Sequence, residues 1–241
     1  GASEEGHKKL MAAWEESWGK KGWETRVLTL DDARKHPDYE KMNESLARLD
    51  VSEYNRRCFF RWLAMAANGG GWMSDYDTFP LNFDAEVGAK LGQYGFFTSF
   101  EKHVPSLVSA NKSEWERMVQ TMITLLGNRN LEDGFISDMI MLKNIKDSMG
   151  KKAGRFGKAL VMGDSFKVAY KLVDESKREV NCIRLRNMLA IHLSHASIDE
   201  AQQSGKFPIM GLETVREAME LRADAALIFL NDYDKQCGDT E

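Results

Sequence analysis

The chain has 241 residues, 43% of them apolar and 29% charged, and a formal net charge of −4. That length and apolar share suit one soluble domain able to bury a core, and the small negative charge gives no broad pull toward nucleic acid or an anionic membrane. No apolar run reaches the roughly 18 residues of a membrane span, and the opening Gly-Ala-Ser-Glu-Glu, with no signal-peptide core, reads as a trimmed start.

His7 to Gly19 reads as an amphipathic helix with Leu10, Met11, Trp14 and Trp18 on one stripe. Gly22 ends it, and Thr25 to Leu30 alternates as a short strand. Asp31-Asp-Ala-Arg opens a brief helical turn that stops at His36-Pro37. Tyr39 to Leu49 is a second amphipathic helix, and Ser52 caps a third, with Glu53 in its first turn, running to about Ala67. On this third helix Arg61 interrupts an apolar run, Cys-Phe-Phe-Arg-Trp-Leu-Ala-Met, so its charge requires an anionic partner. Arg57, one turn earlier, reads as a solvated basic position.

The helix leads into Asn68-Gly-Gly-Gly-Trp-Met-Ser-Asp-Tyr-Asp-Thr-Phe-Pro80. Read as a strand from Trp72 to Asp77, this stretch points Asp75 and Asp77 the same way. Like charges side by side repel unless a cation or a donor-rich ligand lies between them. Carboxylate oxygens suit a hard divalent ion, Mg²⁺ or Mn²⁺, bridging protein and phosphate. The glycines allow a sharp turn and a close approach to a bound molecule.

Farther on, Tyr94 to Phe100 and Ser106 to Asn111 are expected strands. Ser113 opens a helix with Trp115, Met118, Met122 and Leu125 on its apolar face, and 127–134 is a polar loop. Ser137 caps a helix to Met149 with Asp138 in its first turn, where a carboxylate complements the helix dipole or faces a ligand. Residues 150–157 form a basic, glycine-rich link without the order of a Walker motif. Ala159 to Met162 and Phe166 to Leu172 read as short strands. Asn187 to His195 is an apolar, strand-like run ending in His192 and His195, and on a straight strand one of these, not both, reaches a metal. A long helix is expected from Leu212 to about Tyr233. The cysteines Cys58, Cys182 and Cys237 cannot all pair and lack metal-ligand spacing, and Cys58 reads as a small core residue. Asn43-Glu-Ser and Asn111-Lys-Ser match the glycosylation sequon.

Arg61 on a helix, then Gly70-Gly71, then Asp75-x-Asp77, with Ala190-Ile-His192 late in the chain, resemble the Asp-x-Asp sugar-transferase family. The resemblance is best over roughly residues 50 to 80 and thinner over 105 to 142. It implies a single domain over 1–241 with a glycosyltransferase A-type fold: α/β, with a mixed, mostly parallel central sheet flanked by helices. It further implies transfer of a sugar from a nucleotide-sugar donor to a glycan, lipid or protein acceptor, with Mn²⁺ (or Mg²⁺) as cofactor and no nucleic acid as partner. Carried over, Arg61, Gly70, Gly71, Asp75 and Asn111 lie on the donor side, and Asp75, Asp77 and His192 hold the metal. Asp75 and Asp138 serve catalysis, Asp138 on the acceptor side. Met73 stands where the family carries an aromatic, and Arg57 where it carries an acid. The Golgi lumen and the cytoplasm both stay open as compartments. The acidic segment also suits a non-catalytic nucleotide-sugar or metal-binding module, or a metal-dependent phosphodiesterase or pyrophosphatase.

Overall fold

The computed structural model describes residues 2–91, 95–130, 134–156, 160–163, 165–172 and 178–238. The first part of the chain runs α1 (Glu4–Lys20), α2 (Leu30–Arg34), α3 (Tyr39–Arg48), α4 (Glu53–Ala67), β1 (Gly70–Ser74), β2 (Thr78–Pro80) and α5 (Ala85–Leu91). The middle runs β3 (Thr98–Glu101), β4 (Val104–Asn111), α6 (Lys112–Gly127), α7 (Asp138–Met149), β5 (Arg155–Phe156) and β6 (Val161–Met162). The last part holds α8 (Ser165–Ala169), β7 (Tyr170–Leu172), β8 (Arg178–Val180), α9 (Cys182–Leu185), β9 (Ala190–His192), α10 (His195–Gln203), α11 (Val215–Glu220) and α12 (Arg222–Cys237).

These elements group into two compact units, each assembled from separated stretches. One comprises Gly1–Thr25, Asp75–Ala89 and Ala159–Glu241, the other Arg26–Ser74 and Lys90–Lys158.

The unit that holds Arg26–Ser74 is built on a four-stranded sheet in the order β1-β4-β3-β5. Its β1–β4 and β3–β4 ladders are antiparallel and its short β3–β5 pairing is parallel. The helices α4 and α6 bury Phe59, Trp62, Leu63, Trp115, Met118 and Met122 in one apolar cluster with Phe97 and Val108 of the sheet region. Burial of each such side chain contributes about 1.5–3 kcal/mol relative to exposure. The Trp62 ring packs at 5.2 Å from that of Trp115 and 5.7 Å from that of Phe97.

The other unit holds a three-stranded sheet, order β2-β9-β6, with β2–β9 antiparallel and β9–β6 parallel, and the antiparallel hairpin β7–β8. Its core comprises Leu10, Trp18, Phe79, Phe83, Phe166, Ile191, Ile198 and Phe229. The indole of Trp18 donates to the carbonyl of Thr78 at 2.9 Å, tying α1 to β2. A disulfide joins Cys182 to Cys237, the start of α9 to the end of α12.

The protein is therefore mixed α/β. Among the described residues the sheets are small, and four of the six strand pairings are antiparallel. A single mostly parallel central sheet is not among them. Three local expectations are corrected. Thr25 to Thr29 carries no strand, because the alternating segment finds no ladder partner there. Phe166 to Leu172 divides into α8 and β7, with Phe166, Ala169 and Tyr170 buried at helical spacing. The long helix begins at Val215, behind a capping box of Thr214 and Glu217, and is interrupted at Leu221 before α12 runs on to Cys237. Among the described residues no helix is long and apolar enough to cross a membrane.

Candidate metal centre

Asp75 and Asp77 do not lie on one strand. The strand β1 ends at Ser74, and the backbone N–H of Thr78 donates to the carbonyl of Asp75 at 3.0 Å, closing a turn over Asp75-Tyr76-Asp77-Thr78. The chain then enters β2, where Thr78 lies opposite His192 in the antiparallel register with β9. Beyond β9 the backbone N–H of Leu193 donates to the carbonyl of Asp77 at 2.8 Å. Main-chain bonds thus fix the acidic turn against the histidine strand. The two acids converge through a turn, and the histidine reaches them through strand pairing.

Among the described residues, Asp75, Asp77 and His192 form a group of three with one ligand atom each, all within 4.8 Å of one another. His192 Nε2 lies 3.4 Å from Asp77 Oδ1. The other oxygen of Asp77, Oδ2, accepts from Nη1 of Arg222 at 3.0 Å, and the same nitrogen donates to the carbonyl of Leu193 at 3.0 Å. Burial pushes the Asp77 carboxyl up, but the charges of His192 and Arg222 outweigh it and hold the group below the usual carboxylate value. His195 is the first residue of α10 and starts a new element, so His192 is the histidine that joins the acids. Burial, reinforced by the Arg222 charge, lowers the His195 imidazole below its ordinary value.

Tyr76, between the acids in sequence, carries its ring 6.0 Å from the Arg222 guanidinium carbon, and its hydroxyl lies 3.2 Å from His7 Nδ1. Beside this cluster a cavity of about 500 Å³ is lined by His195, Ala196, Asp199, Val215, Arg216 and Met219.

The group can hold a metal ion. Six-coordinate metal–oxygen bonds of about 2.1 Å set neighbouring ligands about 3 Å apart and opposite ones about 4.2 Å apart. A group whose ligand atoms lie within 4.8 Å of one another therefore closes on an ion with a contraction of at most about 0.6 Å for an opposite pair and about 1.8 Å for a neighbouring pair. Asp75, Asp77 and His192 would hold it through two carboxylates and one imidazole.

The remaining sequence-predicted residues, Arg61, Gly70, Gly71, Asn111 and Asp138, belong to the other unit. Arg61 finds its acid there. Its Nε and Nη2 donate to Asp138 Oδ2 at 3.2 and 2.7 Å, and the Trp62 indole donates to the same oxygen at 3.0 Å. Asp138 is 2% exposed, and Ser137 caps the helix that it begins, as expected. Gly70 has φ +81°, and a Cβ there would meet the Lys112 nitrogen at 2.7 Å and the Trp115 ring at 2.9 Å. Glycine is required for the packing of β1 against the start of α6. Gly71 also has positive φ, with open space where a Cβ would stand. Asn111, and not Ser113, caps α6, its Oδ1 accepting from the Glu114 N–H at 2.9 Å.

Arg222 is the residue that sequence reasoning missed. It sits in Leu-Arg-Ala-Asp-Ala-Ala, a lone cation at a helix start among small apolar residues. That is the signal that singles out Arg61, and it is weaker here because Asp224 lies within the same turn and supplies an apparent local counter-charge.

Fold and site define a mixed α/β protein with an Asp-Asp-His group that can hold a metal ion. Over residues 1–223 the chain matches the family model described as "Domain of unknown function (DUF8765)", and it belongs to that family. No curated protein and no solved structure matches it.

Proposed function

We propose that the protein is a metal-dependent glycosyltransferase that moves a sugar from a nucleotide-sugar donor, with Mn²⁺ or Mg²⁺ held by Asp75, Asp77 and His192. One observation carries the reading. Three side chains from stretches more than a hundred residues apart, singled out for this chemistry by the Asp-x-Asp resemblance, have ligand atoms within 4.8 Å of one another. The reading includes a glycosyltransferase A-type design, supported by the helix–glycine–Asp-x-Asp order of α4, β1 and the turn at Asp75.

Glycosyl transfer must stabilise a departing diphosphate, and a bound divalent ion supplies Lewis-acid stabilisation of that charge. The chain's own residues prepare the position. Asp77 is fixed by Leu193 and Arg222, so one oxygen stays turned toward His192. Burial of His192 to 7% exposure keeps water from crowding its side of the group. The cavity beside His195 is the place for an acceptor, with Asp199 and His195 as partners for hydroxyl groups and Val215 and Met219 as an apolar wall. Of the two compartments open on sequence, the Cys182–Cys237 disulfide favours the oxidising lumen.

The test is incubation of the protein with a panel of nucleotide sugars and Mn²⁺. Release or transfer of the sugar, abolished by chelator, supports the reading. Cleavage inside the diphosphate identifies a hydrolase, and binding without turnover a non-catalytic module.

A further inference from the structure

We infer that Arg222 is a positioning residue that sets the cation affinity of the centre, keeping it low for a bare divalent ion and high for an ion that arrives with an anionic ligand. The inference rests on the reading of Asp75, Asp77 and His192 as a metal site.

Arg222 is 1% exposed, and a guanidinium keeps its charge at every working pH. Nη1 is shared between Asp77 Oδ2 and the Leu193 carbonyl, Nε has no partner, and the Tyr76 ring lies near one face. A buried donor without a partner costs stability, and replacing a buried ion pair by apolar side chains is often neutral or favourable. Fold stability alone is therefore a poor reason for this arginine. Its consequence for a cation is direct. By occupying Oδ2 it leaves Oδ1 as the oxygen of Asp77 that faces His192. It also changes the charge of the centre. Asp75 and Asp77 contribute −2 and Arg222 +1, so these three side chains stand at −1, and the group stands at +1 once a divalent ion enters and His192 binds it as the neutral imidazole. Two carboxylates alone would be neutral with the ion bound and would exert no net pull on an anion. With Arg222 the empty centre stands at −1 in place of −2, which weakens its pull on a bare ion, and the loaded centre is positive, which attracts a diphosphate.

The experiment is a Mn²⁺ titration of the full chain read by electron paramagnetic resonance. It is run for the parent, Arg222→Gln and Arg222→Lys, with and without a nucleoside diphosphate, after correction for the Mn²⁺ that the diphosphate binds in solution. The parent should bind Mn²⁺ at least about tenfold more tightly when the diphosphate is present, in line with charge interactions at protein sites. Arg222→Gln should bind Mn²⁺ alone about tenfold more tightly than the parent and lose most of the diphosphate enhancement. Arg222→Lys, which retains the charge, should stay within about threefold of the parent in both titrations. Mn²⁺ binding by the parent with no change in Arg222→Gln overturns the role of Arg222 and leaves the metal site standing. Absence of Mn²⁺ binding in every form overturns the metal reading and this inference with it. Should Arg222→Gln not fold, Arg222→Lys carries the test, and a larger change in affinity despite the retained charge overturns the inference.

Discussion

Asp77→Asn removes one charge from a side chain that faces two partners, and it separates the structural from the metal-binding role of the acid. In the parent, Oδ2 neutralises Arg222, and Oδ1 lies 3.4 Å from His192. Breaking a buried ion pair by removing one partner costs about 3–5 kcal/mol. The low end applies, because Arg222 keeps the Leu193 carbonyl and the new carboxamide oxygen can still accept from Nη1. For a chain of this size about 3 kcal/mol corresponds to a fall in Tm of about 6–12 °C. The amide nitrogen or oxygen that replaces Oδ1 is a poor ligand for a hard ion, and losing a charged contact worth about 1.5–3 kcal/mol lowers Mn²⁺ affinity about ten- to hundredfold. The assay pairs calorimetry for Tm with a Mn²⁺ titration well below it. Asp75→Asn is the control: it should weaken Mn²⁺ comparably with a smaller fall in Tm, because Arg222 keeps its carboxylate. If Asp77→Asn melts with the parent and binds Mn²⁺ as tightly, both the Arg222 pairing and the metal assignment are refuted.

Asp138→Ala leaves Arg61 and the Trp62 indole without their shared acceptor and should cost about 3 kcal/mol, read as a lower urea midpoint. An unchanged midpoint with lost turnover would return Asp138 to the catalytic role that the resemblance implies. Replacing both Cys182 and Cys237 by Ser opens a loop closed across a separation of 55 residues and should cost about 4 kcal/mol on the chain-entropy account. An equal midpoint for the disulfide-free variant would show that the bridge is not needed. Asp32 accepts from Lys35 and the Thr29 backbone, which hold its carboxyl well below the usual value. Its contribution to stability is complete above the ordinary carboxylate pKa near 4 and fades as pH falls below it. Asp32→Asn should therefore destabilise at pH 7 and converge with the parent in acid, and a penalty independent of pH would remove the charge from the explanation.

Helices with clear caps were legible in the sequence: Ser52 and Ser137 cap α4 and α7 as read, each by accepting a hydrogen bond from the residue three positions on. The short strands were less so. Phe166 to Leu172 alternates in hydrophobicity, yet the apolar residues also satisfy a helical turn, and a window of seven cannot separate the two periods. Asp75, Asp77 and His192 were legible as residues and not as geometry. The expected strand would have aligned the acids by its pleat, whereas the chain aligns them by a turn and main-chain bonds to Thr78 and Leu193. Arg61 was legible as a cation needing an acid, but the identity of that acid, Asp138, depends on packing between α4 and α7 that no local pattern encodes. Arg222 remained hidden for the same reason, since its partner lies 145 positions away.

The most direct measurement of the central claim is anomalous diffraction from crystals soaked in Mn²⁺ and a nucleoside diphosphate. The account predicts a manganese peak within about 2.5 Å of Asp77 Oδ1 and His192 Nε2, with Asp75 completing the protein ligands and Arg222 still on Oδ2. A peak coordinated elsewhere, or fully loaded crystals in which these three side chains bind no metal, would contradict it.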